Sequence, residues 1–134
     1  MGLTTEERQI LVLREFEKAR IFYNQAEANL SIGIWDVVAN RLYYSVFHAV
    51  SALLINDEHK VGTHKGASLT FGLHYVKTGI FSAPEARLYA QLQTLREKAD
   101  YNCNWEAEED DVRPMMPLAL NFLQKVDNYL HRES

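Results

Sequence analysis

The chain has 134 residues, enough for one domain with a buried core. Hydrophobic residues make up 47% and charged residues 24%, the balance of an ordinary globular protein, which argues against disorder of the whole chain. A net charge of −4 excludes a broad basic coat for non-specific nucleic-acid binding, while leaving room for a small local basic pocket.

Thr4 and Glu7 have the spacing of a capping box, in which a hydroxyl and a carboxylate each satisfy a free backbone amide at a helix start. Ile10, Leu13, Phe16, Ala19, Phe22 or Tyr23, Ala26 and Leu30 then recur at three- and four-residue steps with charged residues between them. This predicts a long amphipathic helix over about 5–30, broken by Ser31-Ile32-Gly33. A second helix is expected over about 34–55, with Val38, Leu42, Val46, Ala49 and Leu53 in one stripe and Tyr43, Phe47, Val50 and Leu54 in the next. A helix so apolar belongs at the centre of a bundle or in a dimer interface.

NDEHKVGTHKG, 56–66, reads as a polar loop. A shorter helix is expected over about 64–78, with Gly79 as its stop. Ser82 and Glu85 repeat the capping-box spacing, and Pro84 suits a first turn. Leu88, Leu92, Leu95 and Ala99 then give a fourth helix a core face over about 83–102. NCNWEAEEDD reads as a solvated acidic loop. Met116, Leu120, Leu123, Val126 or Asp127, and Leu130 mark a last helix over about 112–131, where Pro117 removes an amide donor and predicts a kink or a late start. No β-branched alternation or repeat is present. The fold class is therefore all-α, an antiparallel bundle of four to five helices in a single domain over 1–134.

Cys103 is the only cysteine, which precludes an internal disulfide framework and fits a reducing compartment. The start MGLTTEERQI lacks the apolar core of a signal peptide, and no apolar run approaches the roughly 18 residues of a membrane span, so a cytoplasmic protein with no membrane partner is expected.

Four groups of residues have chemistry to offer. Arg41 and His48, seven apart, share one face of the second helix, and Tyr44 lies within about 60° of Arg41. Spacing alone favours a satisfied structural pair, the other reading being a phosphate-handling site in which Arg neutralises charge and His moves a proton. Arg96 and Asp100, four apart, form an intrahelical ion pair or an exposed functional group at a helix end. Tyr101 points elsewhere, about 140° round, unless the helix ends there. His59, His64 and His74 share no helical face and no completing carboxylate, so neither a metal site nor a cofactor is expected. Ser45 beside His48 lacks the third partner a nucleophile needs, and no glycine-rich phosphate loop is present.

NRLYYSVFHAVSALL, THKGASLTFGLHYVKTG and LREKADYN, in that order, resemble the HEPN family (higher eukaryotes and prokaryotes nucleotide-binding domain), nearest its small stand-alone prokaryotic branch. The resemblance spans about residues 8–131. It implies a helical bundle that commonly dimerises and pairs, as the toxin of a toxin–antitoxin module, with a minimal nucleotidyltransferase. It further implies a metal-independent ribonuclease in which an Arg, separated from a His by four to six residues, grips the scissile phosphate while the His assists attack by the 2′-hydroxyl.

Arg96 takes the place of that Arg, but the positions that follow it contain Asp100 and Tyr101 and no His. In the family a Tyr shortly after the His can be modified by the partner transferase, and Tyr101 is near that register. Arg41 to His48 satisfies Arg-x6-His, on the second helix. The expected catalytic pair is therefore Arg96 with His48, His64 being the other substitute base. Arg41, Tyr44, His64, Asp100 and Tyr101 are expected to contact nucleotide or RNA. The alternative is a non-catalytic nucleotide-binding or substrate-recognition subunit for the transferase. A homodimer is expected from the apolar surface of 37–55 together with the family habit, its polar cleft gathering Arg96 from both subunits.

Overall fold

A computed structural model describes residues 2–60 and 62–132. Five helices of eight or more residues and one isolated turn follow in order: α1 (Thr5–Ser31), α2 (Trp35–Asn56), α3 (His64–Phe71), α4 (Ala83–Tyr101), the turn α5 (Glu109–Val112) and α6 (Met115–His131). There is no strand among the described residues, and no helix among them is long and apolar enough to cross a membrane.

Local chemistry sets most of these boundaries. Both expected capping boxes form, at Thr4/Glu7 and at Ser82/Glu85, so α1 and α4 start where their amides first find side-chain acceptors. Gly33, with φ of +75°, makes the reversal between α1 and α2, a conformation a side chain would strain. After Phe71 the chain widens into a π-helical turn over Gly72–Val76 and stops at Gly79, whose φ is +84°. Pro117 produces the late start: α6 begins at Met115, and Pro117 falls in its first turn, where a missing amide costs nothing.

The bundle is built around α2, which packs against α1, α3, α4, α5 and α6. Its two apolar stripes are consumed inside one chain: Val38, Leu42, Tyr43, Val46, Ala49, Val50, Leu53 and Leu54 all have zero exposure. Apart from the half-buried Phe47 these stripes are thus core, and they are not in themselves a sign of a dimer. α1 packs closely on α2, where the buried Ser45 hydroxyl donates to the carbonyl of the buried Ala19 at 2.6 Å. At the far end of α2, Asp57 accepts from the hydroxyls of Tyr75 and Tyr129, tying the π turn and α6 to the same point.

Two expected core faces shift. On α1 the buried stripe is Val12, Phe16, Ala19, Tyr23 and Ala26, whereas Ile10 and Leu13 are exposed. Repeated three-residue steps drift about 60° each around a helix, which carries Ile10 and Leu13 off the face that Phe16 and Ala19 define. On α6 the core positions are Met116, Ala119, Phe122, Leu123 and Val126, and Leu120 turns outward. Concave grooves run between α1 and α6, lined by residues such as Leu13, Phe16, Leu120 and Asp127.

Candidate functional site

Arg96 sits two turns after Tyr89 on the inner face of α4, where the sequence pattern would place an apolar residue. Only 8% of it is exposed. Its guanidinium lies over three phenol rings, at 5.0 Å from the centroid of Tyr43, 5.7 Å from Tyr101 and 5.8 Å from Tyr44. The nearest carboxylate oxygen, Asp100 Oδ2, is 3.8 Å from Nη1, too long for a hydrogen bond. Nε is buried without any partner. Burial alone would weaken the cation, yet Tyr44, Tyr101 and Tyr43 together raise its pKa, so Arg96 stays charged.

Asp100 is held from the other side by Asn40, whose Nδ2 donates to Oδ2 at 3.1 Å. Asn40 in turn accepts from Arg41 Nη1 at 3.3 Å, so α2 and α4 are linked by the relay Arg41–Asn40–Asp100. Arg41 itself lies over the Phe22 ring at 5.2 Å and forms no ion pair among the described residues. Tyr101 closes α4 and is 77% exposed; because the helix ends there, its ring reaches back to Arg96.

The histidines occupy the floor beside this cation. His64 opens α3, placed by the Thr63 hydroxyl, which accepts from the Gly66 amide at 2.9 Å. Its Nδ1 lies 2.7 Å from the Tyr43 hydroxyl, and its ring packs on Phe47 at 4.3 Å and on Tyr44 at 5.7 Å. Burial, then the charge of Arg96, then His48 hold its pKa below the ordinary value, which keeps it neutral near pH 7. Burial pushes the Tyr43 phenol up to about 12 against the pull of Arg96, so that hydroxyl keeps its proton.

His48 engages α1 instead of Arg96. Its Nδ1 is 2.5 Å from Glu15 Oε2, and its ring stacks on Phe22 at 5.3 Å. Burial would raise the Glu15 pKa, but the bond and charge of His48 outweigh it and hold the carboxylate below its usual range. His48 also touches Phe47 at 5.4 Å and Tyr44 at 6.4 Å. The residues singled out from sequence therefore meet in one cluster, Arg96, Asp100, Tyr101, Arg41, Tyr44, His48 and His64, with Tyr44 near its centre. His59 and His74 do not join it; they stack on each other at 4.2 Å.

A half-exposed aromatic floor carrying one under-satisfied guanidinium and a neutral imidazole can hold an anion and accept a proton. Comparison with known proteins agrees with the three sequence segments quoted above: the model of the HEPN domain matches residues 13–129. The chain belongs to the HEPN family.

Among HEPN relatives, "Putative toxin MJ0142" of Methanocaldococcus jannaschii is 26% identical over 114 residues, covering 85% of this chain and 78% of that one. A UPF0332 protein of Thermotoga maritima is 31% identical over 91 residues, 68% of this chain and 69% of its own length. The crystal structure of TT1696 from Thermus thermophilus superposes with a TM-score of 0.72 at 14% identity, over 87% of this chain and 96% of that one, a likeness of fold alone.

In this HEPN chain the sequence reading missed Tyr43, Phe47, Phe22, Asn40 and Glu15 as members of the cluster. Tyr43 and Phe47 look like core stripe, and Glu15 like one of many solvent charges on α1. The one available signal was Tyr43 itself, since a phenol inside an apolar stripe needs a partner for its hydroxyl.

Proposed function

We propose that this chain is a toxin-like HEPN ribonuclease that grips an RNA phosphate with Arg96 and moves protons with an imidazole from outside the usual signature. Arg96 carries the reading. Its Nε is buried without a partner, and the rest of the guanidinium meets phenols, a hydrogen bond to Tyr101 among them, with no carboxylate within bonding distance, so an anion would complete it. A phosphate fits that need, since its oxygens can take the forked donors directly. Tyr44, Tyr101 and Phe47 offer rings on which unpaired bases can stack, which suits single-stranded RNA. His64, neutral and in the same cluster, can take the proton of a 2′-hydroxyl.

Family membership and the toxin name of two relatives support the toxin reading. The same family pattern suggests a minimal nucleotidyltransferase as antitoxin partner, and a homodimer that brings two Arg96 sites together. A second reading, a nucleotide-binding or substrate-recognition subunit without catalysis, is favoured by the lack of a His after Arg96 on α4.

The test is RNA incubated with the purified protein in EDTA, beside Arg96→Ala, His64→Ala and His48→Ala. Cleavage lost with Arg96→Ala and with at least one histidine variant is the expected result. Cleavage untouched by all three overturns the site. No cleavage by the wild type, with RNA binding that still depends on Arg96, makes the binding subunit the correct reading.

A further inference from the structure

We propose that His48 and His64 divide the two proton transfers of RNA cleavage, His64 Nε2 acting as base and His48 Nε2 as acid, while Tyr43 and Glu15 hold the opposite nitrogen of each ring. This rests on the ribonuclease reading above and goes beyond it, because the family signature supplies a single His in each chain.

The two imidazoles are built alike. Each has Nδ1 held by an oxygen, His64 by the Tyr43 hydroxyl at 2.7 Å and His48 by the Glu15 carboxylate at 2.5 Å. Neither Nε2 has a hydrogen-bond partner among the described residues. Both rings pack on Phe47 and on Tyr44, and the Arg96 guanidinium lies over Tyr44 as well. One ring, Tyr44, is thus the common neighbour of a phosphate-holding cation and two oriented imidazoles. A histidine that only braces a bundle needs one bond to a carbonyl; here each has an orienting partner of the kind that selects which ring nitrogen is free.

The partners also differ in a way that assigns the roles. Tyr43 is a neutral phenol that can accept from Nδ1–H of an uncharged imidazole, which leaves the Nε2 lone pair of His64 free to take a proton. Glu15 is a carboxylate, an acceptor only, so it takes Nδ1–H of His48 and turns Nε2 outward as the nitrogen that hands a proton to the leaving oxygen.

The step balances without a metal or co-reactant. The 2′-hydroxyl gives its proton to His64 Nε2 as O2′ bonds to phosphorus. The P–O5′ bond breaks, and O5′ takes the proton of His48 Nε2. Arg96 holds the non-bridging oxygens throughout. The products are a 2′,3′-cyclic phosphate and a 5′-hydroxyl, and solvent then takes the proton from His64 and restores one to His48.

Replacing the bridging 5′ oxygen with sulfur removes the need for an acid, because a thiolate leaves unprotonated. The experiment compares cleavage of ordinary RNA and of 5′-thio RNA by the wild type, His48→Ala, His48→Gln, His64→Ala, Glu15→Gln and Arg96→Ala, with urea unfolding to verify that each is folded. His48→Ala and His48→Gln should cleave ordinary RNA about a hundredfold slower than the wild type and 5′-thio RNA at close to its rate. Glu15→Gln should show a smaller defect with the same rescue, and His64→Ala should be slow on both substrates. Equal slowing of the His48 variants on both substrates overturns the acid assignment. Full activity of the His48 and His64 variants, with Arg96→Ala inactive, overturns the division of labour while leaving the Arg96 reading intact. No cleavage of either substrate by any form overturns both.

Discussion

Replacing Arg96 with Met separates what this residue does for the fold from what it does for the site. Met keeps most of the unbranched stem that packs among Tyr43, Tyr44 and Tyr101 and removes only the charged head. The head's balance can be worked from its contacts. Against it stands the buried, unpartnered Nε, a desolvation penalty of about 1–3 kcal/mol. In its favour are three ring contacts at about 0.5–1 kcal/mol each. The 3.8 Å approach to Asp100 adds about 0.3–0.5 kcal/mol at most.

These nearly cancel, so Arg96→Met should change the unfolding free energy by no more than about 1 kcal/mol, measured by urea titration followed by circular dichroism. Arg96→Ala, which also empties the stem's volume, should cost about 1–2 kcal/mol more. A loss above about 3 kcal/mol for Arg96→Met would refute the reasoning, since it would make the guanidinium a satisfied structural group rather than one awaiting an anion.

Four further outcomes follow from the same structure. Tyr43→Phe should lower stability by about 0.5–1.5 kcal/mol in urea unfolding, the net worth of one hydroxyl hydrogen bond, because the ring remains and only the contact to His64 goes. His64 has a folded pKa below its ordinary 6.5, so the unfolded chain binds a proton that the native state refuses. Stability should therefore fall as pH drops beneath about 6.5, and His64→Gln should flatten a melting-temperature profile in that window. Glu15 acts lower: its depressed pKa gives stability that is present above 4.5 and lost as pH falls through the folded value, a loss Glu15→Gln should remove. Leu42→Ala, at a position with no exposure in the centre of α2, should cost about 2–5 kcal/mol in the same urea assay.

The helices were legible because their signals are local. Two capping boxes, Gly33, Gly79 and Pro117 each act through backbone groups within a few residues, and each marks its boundary. The core faces of α1 and α6 were less so, since several apolar steps fit a helix and only the neighbours decide which face is covered; Leu13 and Leu120 fit the pattern and still face outward. For the site, spacing could place Arg41 with His48 and Arg96 with Asp100, but could not join the two pairs, because the joining contacts run between helices. Asn40 spans α2 to α4, Glu15 reaches from α1 to His48, and Tyr43 links α3 to α4. Those are long-range contacts with no periodicity to betray them. The apolar surface of α2 pointed equally to a bundle centre or a dimer face, and only the packing of α1, α4 and α6 around it decides for the centre.

Both proposed readings make Arg96 the group that holds a phosphate of RNA or of a nucleotide. The most direct measurement is the fluorescence anisotropy of a labelled single-stranded RNA titrated with the wild type and with Arg96→Met across a range of salt. Loss of one charge-assisted contact predicts binding weaker by about tenfold to a hundredfold, and a salt dependence shallower by about 0.7 in logarithmic slope. Equal affinities and equal slopes for the two proteins would contradict it.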